Sequence, residues 1–154
     1  MKKNLSNKRI LIIGSSRGIG FEIAKYLHNH NSKVIISSSN YANLDSAYNK
    51  IVRFNKSKNK RLYKIKIDIG NISNLVKDIN KTLNFFSKLD VLIISSAILG
   101  PSGKLYKNNF TNWRKTFDIN LFGPVKVIQY FLKLKFFSNN AKIIFISGPL
   151  LLRS

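Results

Sequence analysis

An apolar run that breaks into three closely spaced glycines is the strongest constraint on the fold of this chain. Residues 10–20 read ILIIGSSRGIG, and apolar side chains then recur with helical spacing at Ile23, Ala24 and Leu27. The pattern predicts a strand, a tight turn and a helix, the local geometry that holds a nucleotide phosphate. The first amides of such a helix have no intrahelical partner, and the helix dipole adds attraction for an anion.

Each glycine of this segment has an expected task. Gly14 lets the chain leave the strand at a backbone angle that a side chain would resist. Gly18 allows the backbone to approach a pyrophosphate, and Gly20 allows the helix to pack closely on the sheet. The spacing Gly-x-x-x-Gly-x-Gly is wider between its first two glycines than the common dinucleotide-binding motif. Such a turn can also simply connect a strand and a helix without binding a ligand. The rest of the chain must decide between these interpretations.

Strands and helices are predicted to alternate five times along the chain. Further strands are expected at residues 34–36, 62–67, 91–94 and 143–146. Apolar spacing predicts a helix that contains Leu44, a helix with Leu75, Ile79, Leu83 and Phe86 on one face, and a long helix over residues 110–137 with Thr111 as its N-cap. Several strands are apolar on both faces, which indicates a parallel sheet covered by helices on each side. We therefore expect an α/β, Rossmann-like doubly wound fold, with its ligand beyond the carboxyl ends of the strands.

Composition narrows the kinds of site that the chain can hold. It has no cysteine, which excludes disulfides, thiolate metal ligands and a cysteine nucleophile. His28 and His30 are interpreted as capping charges at the end of the first helix, so we predict no metal site. The basic start is followed by only four apolar residues, too few for a signal peptide or a membrane span. We expect a cytoplasmic protein.

The formal net charge of +21 has two interpretations. A strongly basic chain is typical of proteins that bind nucleic acid or an anionic membrane. Alternatively, the bias toward Lys, Asn, Ile, Ser and Phe is that of AT-rich coding sequence. The lysines are densest over residues 50–66, yet positive charge is present in every element. This spread favours the second interpretation, with weak nonspecific anion binding as a by-product and no specific nucleic-acid or membrane partner.

Five segments in a fixed order resemble one family of enzymes. They are residues 14–20 (GSSRGIG), 68–69 (DI), 89–100 (LDVLIISSAILG), 113–123 (WRKTFDINLFG) and 142–147 (KIIFIS). With this order and these separations, the chain resembles the short-chain dehydrogenase/reductase family across nearly its whole length. The resemblance implies that residues 1–154 form a single, incomplete NAD(P)-binding Rossmann domain. It also implies a carbonyl or alcohol substrate and, for the complete protein, a homo-oligomer.

The resemblance assigns cofactor roles position by position. Gly14, Gly18 and Gly20 would hold the pyrophosphate, and Asp68 would bond the adenine amino group with Ile69 beside it. Asp68 could alternatively cap the turn before the next helix. Ser95, Ser96 and Ala97 occupy the family's Asn-Ala-Gly position, a departure in which serine keeps hydrogen-bonding capacity with a shorter reach. The full set of implied cofactor residues is Gly14, Ser16, Arg17, Gly18, Ile19, Gly20, Ser38, Ser39, Asp68, Ile69, Ser95, Ser96 and Ala97.

The end of the second strand bears on which cofactor is bound. An adenosine ribose with free hydroxyls calls for a carboxylate there, whereas the chain has Ser38, Ser39 and Asn40. Arg17, within the glycine turn, can pair with a 2′-phosphate through a charge-assisted fork. We therefore expect NADP rather than NAD.

The residues that would carry out the family's chemistry are only partly present. Asn120 matches the asparagine of the proton relay, or else it is a hydrogen-bonded structural residue. Ser147 stands at the first of two serine positions after the fifth strand, with Gly148 at the second, catalytic one. No Tyr-x-x-x-Lys occurs in the sequence. We expect the N-terminal portion of a reductase, without the C-terminal strands and helices and inactive alone. The alternatives are a noncatalytic dinucleotide-binding module and a basic nucleic-acid-binding protein.

Overall fold

The computed structural model describes residues 5–54 and 61–147, in which parallel strands alternate with helices. The strands are β1 Arg9–Ile13, β2 Lys33–Ser38, β3 Leu62–Lys66, β4 Leu89–Ile94 and β5 Phe137–Phe145. The helices are α1 Gly18–Asn29, α2 Tyr41–Phe54, α3 Ile72–Asn80, α4 Phe110–Phe117 and α5 Gly123–Lys133. Gly148 and the middle of the lysine-rich segment lie outside the described residues. In the part that is described, no helix is long and apolar enough to cross a bilayer.

The strands form one sheet in the order β3-β2-β1-β4-β5, and all the pairings are parallel. Leu11 of β1 lies between Ile35 of β2 and Leu92 of β4, which sets the register at the centre. The chain winds outward in one direction through β3 and in the other through β5. Strand order therefore reverses at β1, where doubly wound folds place their ligands. The predicted α/β architecture is confirmed.

Successive side chains of the central strands enter two separate cores. Ile10 and Ile12 of β1 pack with residues of α1 and α2 on one face of the sheet. Leu11 and Ile13 pack on the other face, with residues of α3 and α5 that include Phe131. Because adjacent residues of a strand point to opposite faces, a strand covered on both sides must be apolar throughout. This explains the uninterrupted run at residues 10–13.

The prediction of one long helix over residues 110–137 is correct for a helical backbone over 110–133, but it is wrong at its C-terminal end and it missed a change of helix type within the segment. The segment is α4, a wider π turn at Asp118–Phe122, and α5. Pro124 lies in the first turn of α5 and has no N–H to continue an α-helical ladder. A Cβ on Gly123 would lie 2.3 Å from the carbonyl oxygen of Ile69, so the chain here is pressed against the β3–α3 loop. Apolar spacing contains no sign of either constraint.

Three smaller predictions near helix and strand ends also need correction. The N-cap of α4 is Asn109, whose Oδ1 accepts the N–H of Thr111 at 2.7 Å, so Thr111 is not the cap. α3 ends at Asn80 and continues as a 3-10 turn, which ends the helical spacing before Phe86. β5 begins at Phe137 rather than at residue 143, because its polar first half pairs along β4 across a β-bulge. Its polar composition is not that of a buried strand.

The two histidines of α1 lie in different environments. His30 is exposed at the C-cap, and its Nδ1 lies 2.8 Å from the carbonyl oxygen of Tyr26. His28 is only 4% exposed, and burial lowers the pKa of its imidazole below the ordinary value. A buried neutral ring is not a capping charge. The interpretation is therefore wrong for His28.

Candidate functional site

A cleft of about 420 Å³ opens at the carboxyl ends of the strands, above the point where strand order reverses. Twelve of the thirteen cofactor residues that the sequence suggests line it, and Gly20 does not. Ser147 lines it as well. The lining also includes residues that the sequence analysis missed, namely Ile13, Asn43, Ile67, Ile98, Ile119 and Ile146.

The glycine turn is held by a close approach between two loops. Gly14 has a φ of +79°, and a Cβ there would lie 2.6 Å from both N and Cα of Ser96. Gly20 is buried below the turn, where a Cβ would lie 2.4 Å from the carbonyl oxygen of Gly14. Neither position has room for a side chain. The turn after β1 and the loop after β4 therefore form one packed unit at the floor of the cleft.

The start of α1 faces the cleft with its amides uncapped. Arg17 is the N-cap residue and makes no side-chain cap hydrogen bond, and the first turn contains no acidic residue. Gly18 has a φ of +60°, and a Cβ there would meet nothing within 4 Å. Amides without an intrahelical partner, next to open space, are suited to bind an anion.

A pair of buried serines joins the glycine turn to the end of β2. The Ser15 hydroxyl donates to the carbonyl of Ile12 at 2.9 Å and accepts the N–H of Ser37 at 2.9 Å. The Ser37 hydroxyl donates to the same carbonyl at 3.1 Å. These contacts satisfy two buried hydroxyls and fix the position of the serines that follow in β2.

The end of β2 brings hydroxyl and amide groups into the cleft. Ser38 is buried, Ser39 is exposed, and both line the cleft with Asn43 from the first turn of α2. The N–H of Asn43 donates to Oδ1 of Asn40 at 3.0 Å, so Asn40 acts as the cap of α2. Arg17 is exposed and lines the same cleft. Among the described residues that line the cleft, its guanidinium is the one cationic side chain and Asp68 is the one carboxylate.

Asp68 lines the cleft and also organises the turn after β3. Its Oδ1 accepts the N–H of Gly70 at 3.1 Å, and its carbonyl accepts the N–H of Asn71 at 3.2 Å. The turn-capping interpretation is therefore correct as a description of its contacts. It does not exclude a ligand, because the residue also faces the cleft.

The loop after β4 is anchored at both ends. The N–H of Ser95 donates to the carbonyl of Ile13 at 2.9 Å. Further along, the amide of Asn120 forms two hydrogen bonds with the backbone of Ile98, at 3.0 Å to its N–H and 2.9 Å to its carbonyl. Between these anchors, the buried Oγ of Ser96 has no hydrogen-bond partner among the described residues. A buried hydroxyl without a partner has hydrogen-bonding capacity that a ligand in the cleft can use.

The two catalytic candidates lie differently relative to the cleft. Ser147 is exposed and follows Ile146, whose N–H donates to the carbonyl of Ile94 at 2.9 Å. Asn120 is not among the lining residues and uses both atoms of its amide on Ile98. In this structure, Asn120 positions the loop after β4.

Comparison with known proteins agrees with this architecture. The family model described as short chain dehydrogenase matches residues 8–150. A protein named probable tetrahydroxynaphthalene reductase, from Zymoseptoria tritici, is 32% identical over 125 residues, which are 81% of this chain and 45% of that protein. The chain therefore belongs to the short-chain dehydrogenase family, a family of NAD(P)-binding oxidoreductases.

Solved structures show the same fold at lower identity. A short chain dehydrogenase from Shigella flexneri superimposes with a TM-score of 0.81 at 22% identity, over 96% of this chain and 58% of that one. One from Burkholderia cenocepacia J2315, in complex with NADP, superimposes with a TM-score of 0.78 at 22% identity, over 93% and 56% of the two chains. The chain spans about half the length of the curated relatives it matches.

Proposed function

We propose that this chain binds NADP(H) in the cleft and contributes the cofactor half of a carbonyl–alcohol oxidoreductase site. The observation that carries the proposal is the convergence of the uncapped start of α1, Asp68 and the unpartnered Ser96 hydroxyl on one cleft. The NADP bound to the Burkholderia cenocepacia relative supports the choice of ligand.

The residues of the cleft fit the parts of the cofactor. The amides around Gly18 would hold the pyrophosphate, since the first turn of α1 has neither a capping side chain nor an acid to repel it. Asp68 and Ile69 would bind the adenine. Ser95, Ser96 and Ala97 would line the rest of the cofactor, and the Ser96 hydroxyl has an open hydrogen-bonding capacity for it.

Arg17 and the end of β2 favour the 2′-phosphate. Ser38, Ser39 and Asn43 supply hydroxyl and amide groups but no carboxylate. A carboxylate at that place would bond the free ribose hydroxyls of NAD and repel a phosphate. Arg17 can donate two hydrogen bonds to phosphate oxygens. The charge and chemistry of this corner therefore support NADP over NAD.

A titration of NADPH against NADH tests the proposal. We expect the unaltered chain to bind NADPH more tightly than NADH. Arg17→Ala is expected to weaken NADPH binding by about tenfold to a hundredfold, since a charge-assisted hydrogen bond contributes about 1.5–3 kcal/mol, and to leave NADH binding nearly unchanged. Quenching of Trp113 fluorescence or calorimetry measures both affinities.

Arg114→Ala is the matched control, because Arg114 is an exposed arginine on α4 that does not line the cleft. It is expected to leave both affinities unchanged. An equal loss in the two variants would show that overall charge, rather than a site at Arg17, attracts the nucleotide.

The hydride chemistry needs more than the described site contains. A bound nicotinamide donates or accepts the hydride, and a side chain must exchange the proton with the carbonyl or alcohol oxygen. Ser147 lies in the cleft where it could hydrogen-bond such an oxygen. Because no Tyr-x-x-x-Lys occurs in the 154 residues, we expect these residues alone to bind NADPH without reducing carbonyls. Robust reduction would contradict this part of the proposal.

The outer surface of α4 and α5 supports association with a second copy of the chain. Large apolar side chains there are between 41% and 79% exposed, namely Phe110, Phe117, Leu121, Phe122, Val125 and Leu132. Contiguous exposed apolar surface is typical of protein interfaces. We therefore propose a homo-oligomer through this surface.

Light scattering on the purified chain tests the oligomer. We expect Val125→Glu to shift the chain toward the monomer, because burying an unpaired carboxylate in an interface costs several kcal/mol. Val52→Glu is the control, since Val52 on α2 is 45% exposed and Val125 is 41% exposed. A monomeric unaltered chain, or an equal effect of both substitutions, would contradict the proposed surface.

A further inference from the structure

The edge of the sheet opposite the cleft carries a cation at the start of every strand. Lys8 directly precedes Arg9 in β1, Lys33 begins β2, Arg61 precedes β3, Lys88 precedes β4, and Lys135 lies two residues before β5. We call Lys8, Lys33, Arg61, Lys88 and Lys135 the basal row. Because all five strands are parallel, their first residues lie along the same edge.

Backbone and side-chain contacts fix the order of the row. The N–H of Lys33 donates to the carbonyl of Lys8 at 2.8 Å, and the N–H of Val34 donates to the carbonyl of Arg61 at 2.8 Å. At the other end, Nζ of Lys88 donates to the carbonyl of Lys135. The row therefore runs Arg61, Lys33, Lys8, Lys88, Lys135, with a length of about 19 Å at the usual spacing of ~4.8 Å between strands.

The row is accessible and has little acidic charge beside it. Lys8, Lys88 and Lys135 are exposed, and Lys33 and Arg61 are half-buried. The acid at the strand starts is Asp90, and Arg9 already pairs with it at 2.9 Å. Within the described residues, the side chains of Lys8, Lys33 and Lys135 make no hydrogen bond or ion pair. Their charges are free to act on a ligand.

We propose that the basal row binds the phosphodiester backbone of a nucleic acid, without sequence preference. A single strand is flexible, and a line of positive charge can track its backbone with one phosphate at each of the five cations. Asn7 and Asn31 flank the row near Arg61, and amides donate to phosphate and sugar oxygens. An anionic membrane fits less well, because none of these seven residues is an apolar side chain that could insert.

The proposed surface is separate from the cofactor cleft. The cleft lies at the carboxyl ends of the strands, and the basal row lies at their amino ends, about 17 Å away for a strand of five residues. Binding at the row is therefore independent of the proposed function. NADPH at saturation is expected to leave nucleic-acid binding unchanged.

Anisotropy of a labelled 20-nucleotide single strand of mixed sequence, over a range of salt concentrations, tests the proposal. Five phosphate contacts predict a slope of log K against log[salt] of about −3.5, so affinity falls about a hundredfold between 50 and 200 mM salt. The triple variant Lys8→Gln, Lys33→Gln, Lys135→Gln is expected to reduce the magnitude of that slope by about 2.

A second triple variant, with the same net charge as the first, distinguishes binding at the basal row from attraction by the overall charge of the chain. Lys104→Gln, Lys107→Gln, Lys115→Gln removes three exposed lysines from the part of the chain around the start of α4 and is expected to keep the full slope. An equal loss in both variants would overturn the proposal. Vesicles of phosphatidylserine are tested in the same way. The proposal would also be overturned if the basal substitutions removed binding to these vesicles and left binding to the single-stranded nucleic acid unchanged.

Thermal unfolding accompanies each measurement. If the basal triple variant is not folded, the single variants Lys8→Gln and Lys135→Gln each remain a test. Each is expected to reduce the magnitude of the slope by about 0.7. Single variants with an unchanged slope would overturn the proposal.

Discussion

Gly14→Ala is expected to destabilise the chain by about 3 kcal/mol or more and to remove NADPH binding. Two costs combine at this position. A residue with a side chain pays about 1–2 kcal/mol for the left-handed conformation that the φ of +79° requires. The Cβ would also lie 2.6 Å from N and Cα of Ser96, and relieving such an overlap costs typically about 1–3 kcal/mol.

The clash at Gly14 involves backbone, so no side-chain rotation can relieve it. The turn after β1 and the loop after β4 must separate, and both line the cleft. Loss of the cofactor is therefore expected together with loss of stability. Urea denaturation measures the free energy of unfolding, and fluorescence titration measures NADPH binding.

Gly103→Ala is the matched control for the conformational cost. Gly103 has a φ of +91°, and a Cβ there would meet nothing within 4 Å. Alanine at this position must adopt the left-handed conformation but meets no clash. The free energy of unfolding is therefore expected to fall by only about 1–2 kcal/mol. If the two variants unfold alike, the contact between Gly14 and Ser96 is not the rigid constraint described above.

Asp90→Asn is expected to lower the free energy of unfolding by about 2 kcal/mol at neutral pH, because it removes one partner of a bidentate ion pair between β1 and β4. Arg9 donates from Nε to Oδ2 and from Nη2 to Oδ1, each at 2.9 Å. The backbone N–H of Arg9 also donates to Oδ2 at 2.9 Å. The two side chains are 27% and 16% exposed, so solvent screens the pair only in part.

The same ion pair makes stability depend on pH. Hydrogen bonds from Arg9 hold the pKa of Asp90 far below its ordinary value of 3.8. Since the pKa is lowered by folding, the contribution is present above about pH 4 and is lost as the pH falls from there through the depressed value. The difference in unfolding free energy between the unaltered chain and Asp90→Asn should therefore shrink below pH 4.

Denaturation at pH 7, 5 and 3 measures this difference. Asp45→Asn is the control, because Asp45 forms a pair with Lys64 in which the side chains are 52% and 43% exposed, and such exposed pairs contribute below about 1 kcal/mol. A difference for Asp90→Asn that stays constant down to pH 3 would contradict the assigned role of the carboxylate.

Local patterns were sufficient to predict the architecture. The run at residues 10–13 is apolar because both faces of β1 are covered. A strand that is apolar throughout predicts a parallel sheet with helices on both faces. The apolar spacing did not predict how the segment from Phe110 to Lys133 divides into α4, the π turn and α5. The π turn there ends at the point where Gly123 packs against Ile69, a residue that is distant along the chain.

The site was predicted where it follows strand ends and missed where it depends on packing. Ser38, Asp68 and Ser95 follow or end strands, so the parallel topology brings them to one edge. Asn43 could have been found, because a helix that begins after β2 turns its first residues toward the same edge. Ile119 enters the cleft from the π turn, which the apolar pattern did not indicate.

The division between the two kinds of information has a physical cause. The order of strands and helices, the glycine turn and the excess of positive charge are local or compositional features. The amino-acid sequence alone is enough to establish them. Three features required the folded chain: the packing of Gly14 on Ser96, the use of Asn120 as a clamp on Ile98, and the alignment of the basal row. Each joins residues far apart in sequence, and only the arrangement of the sheet brings them together.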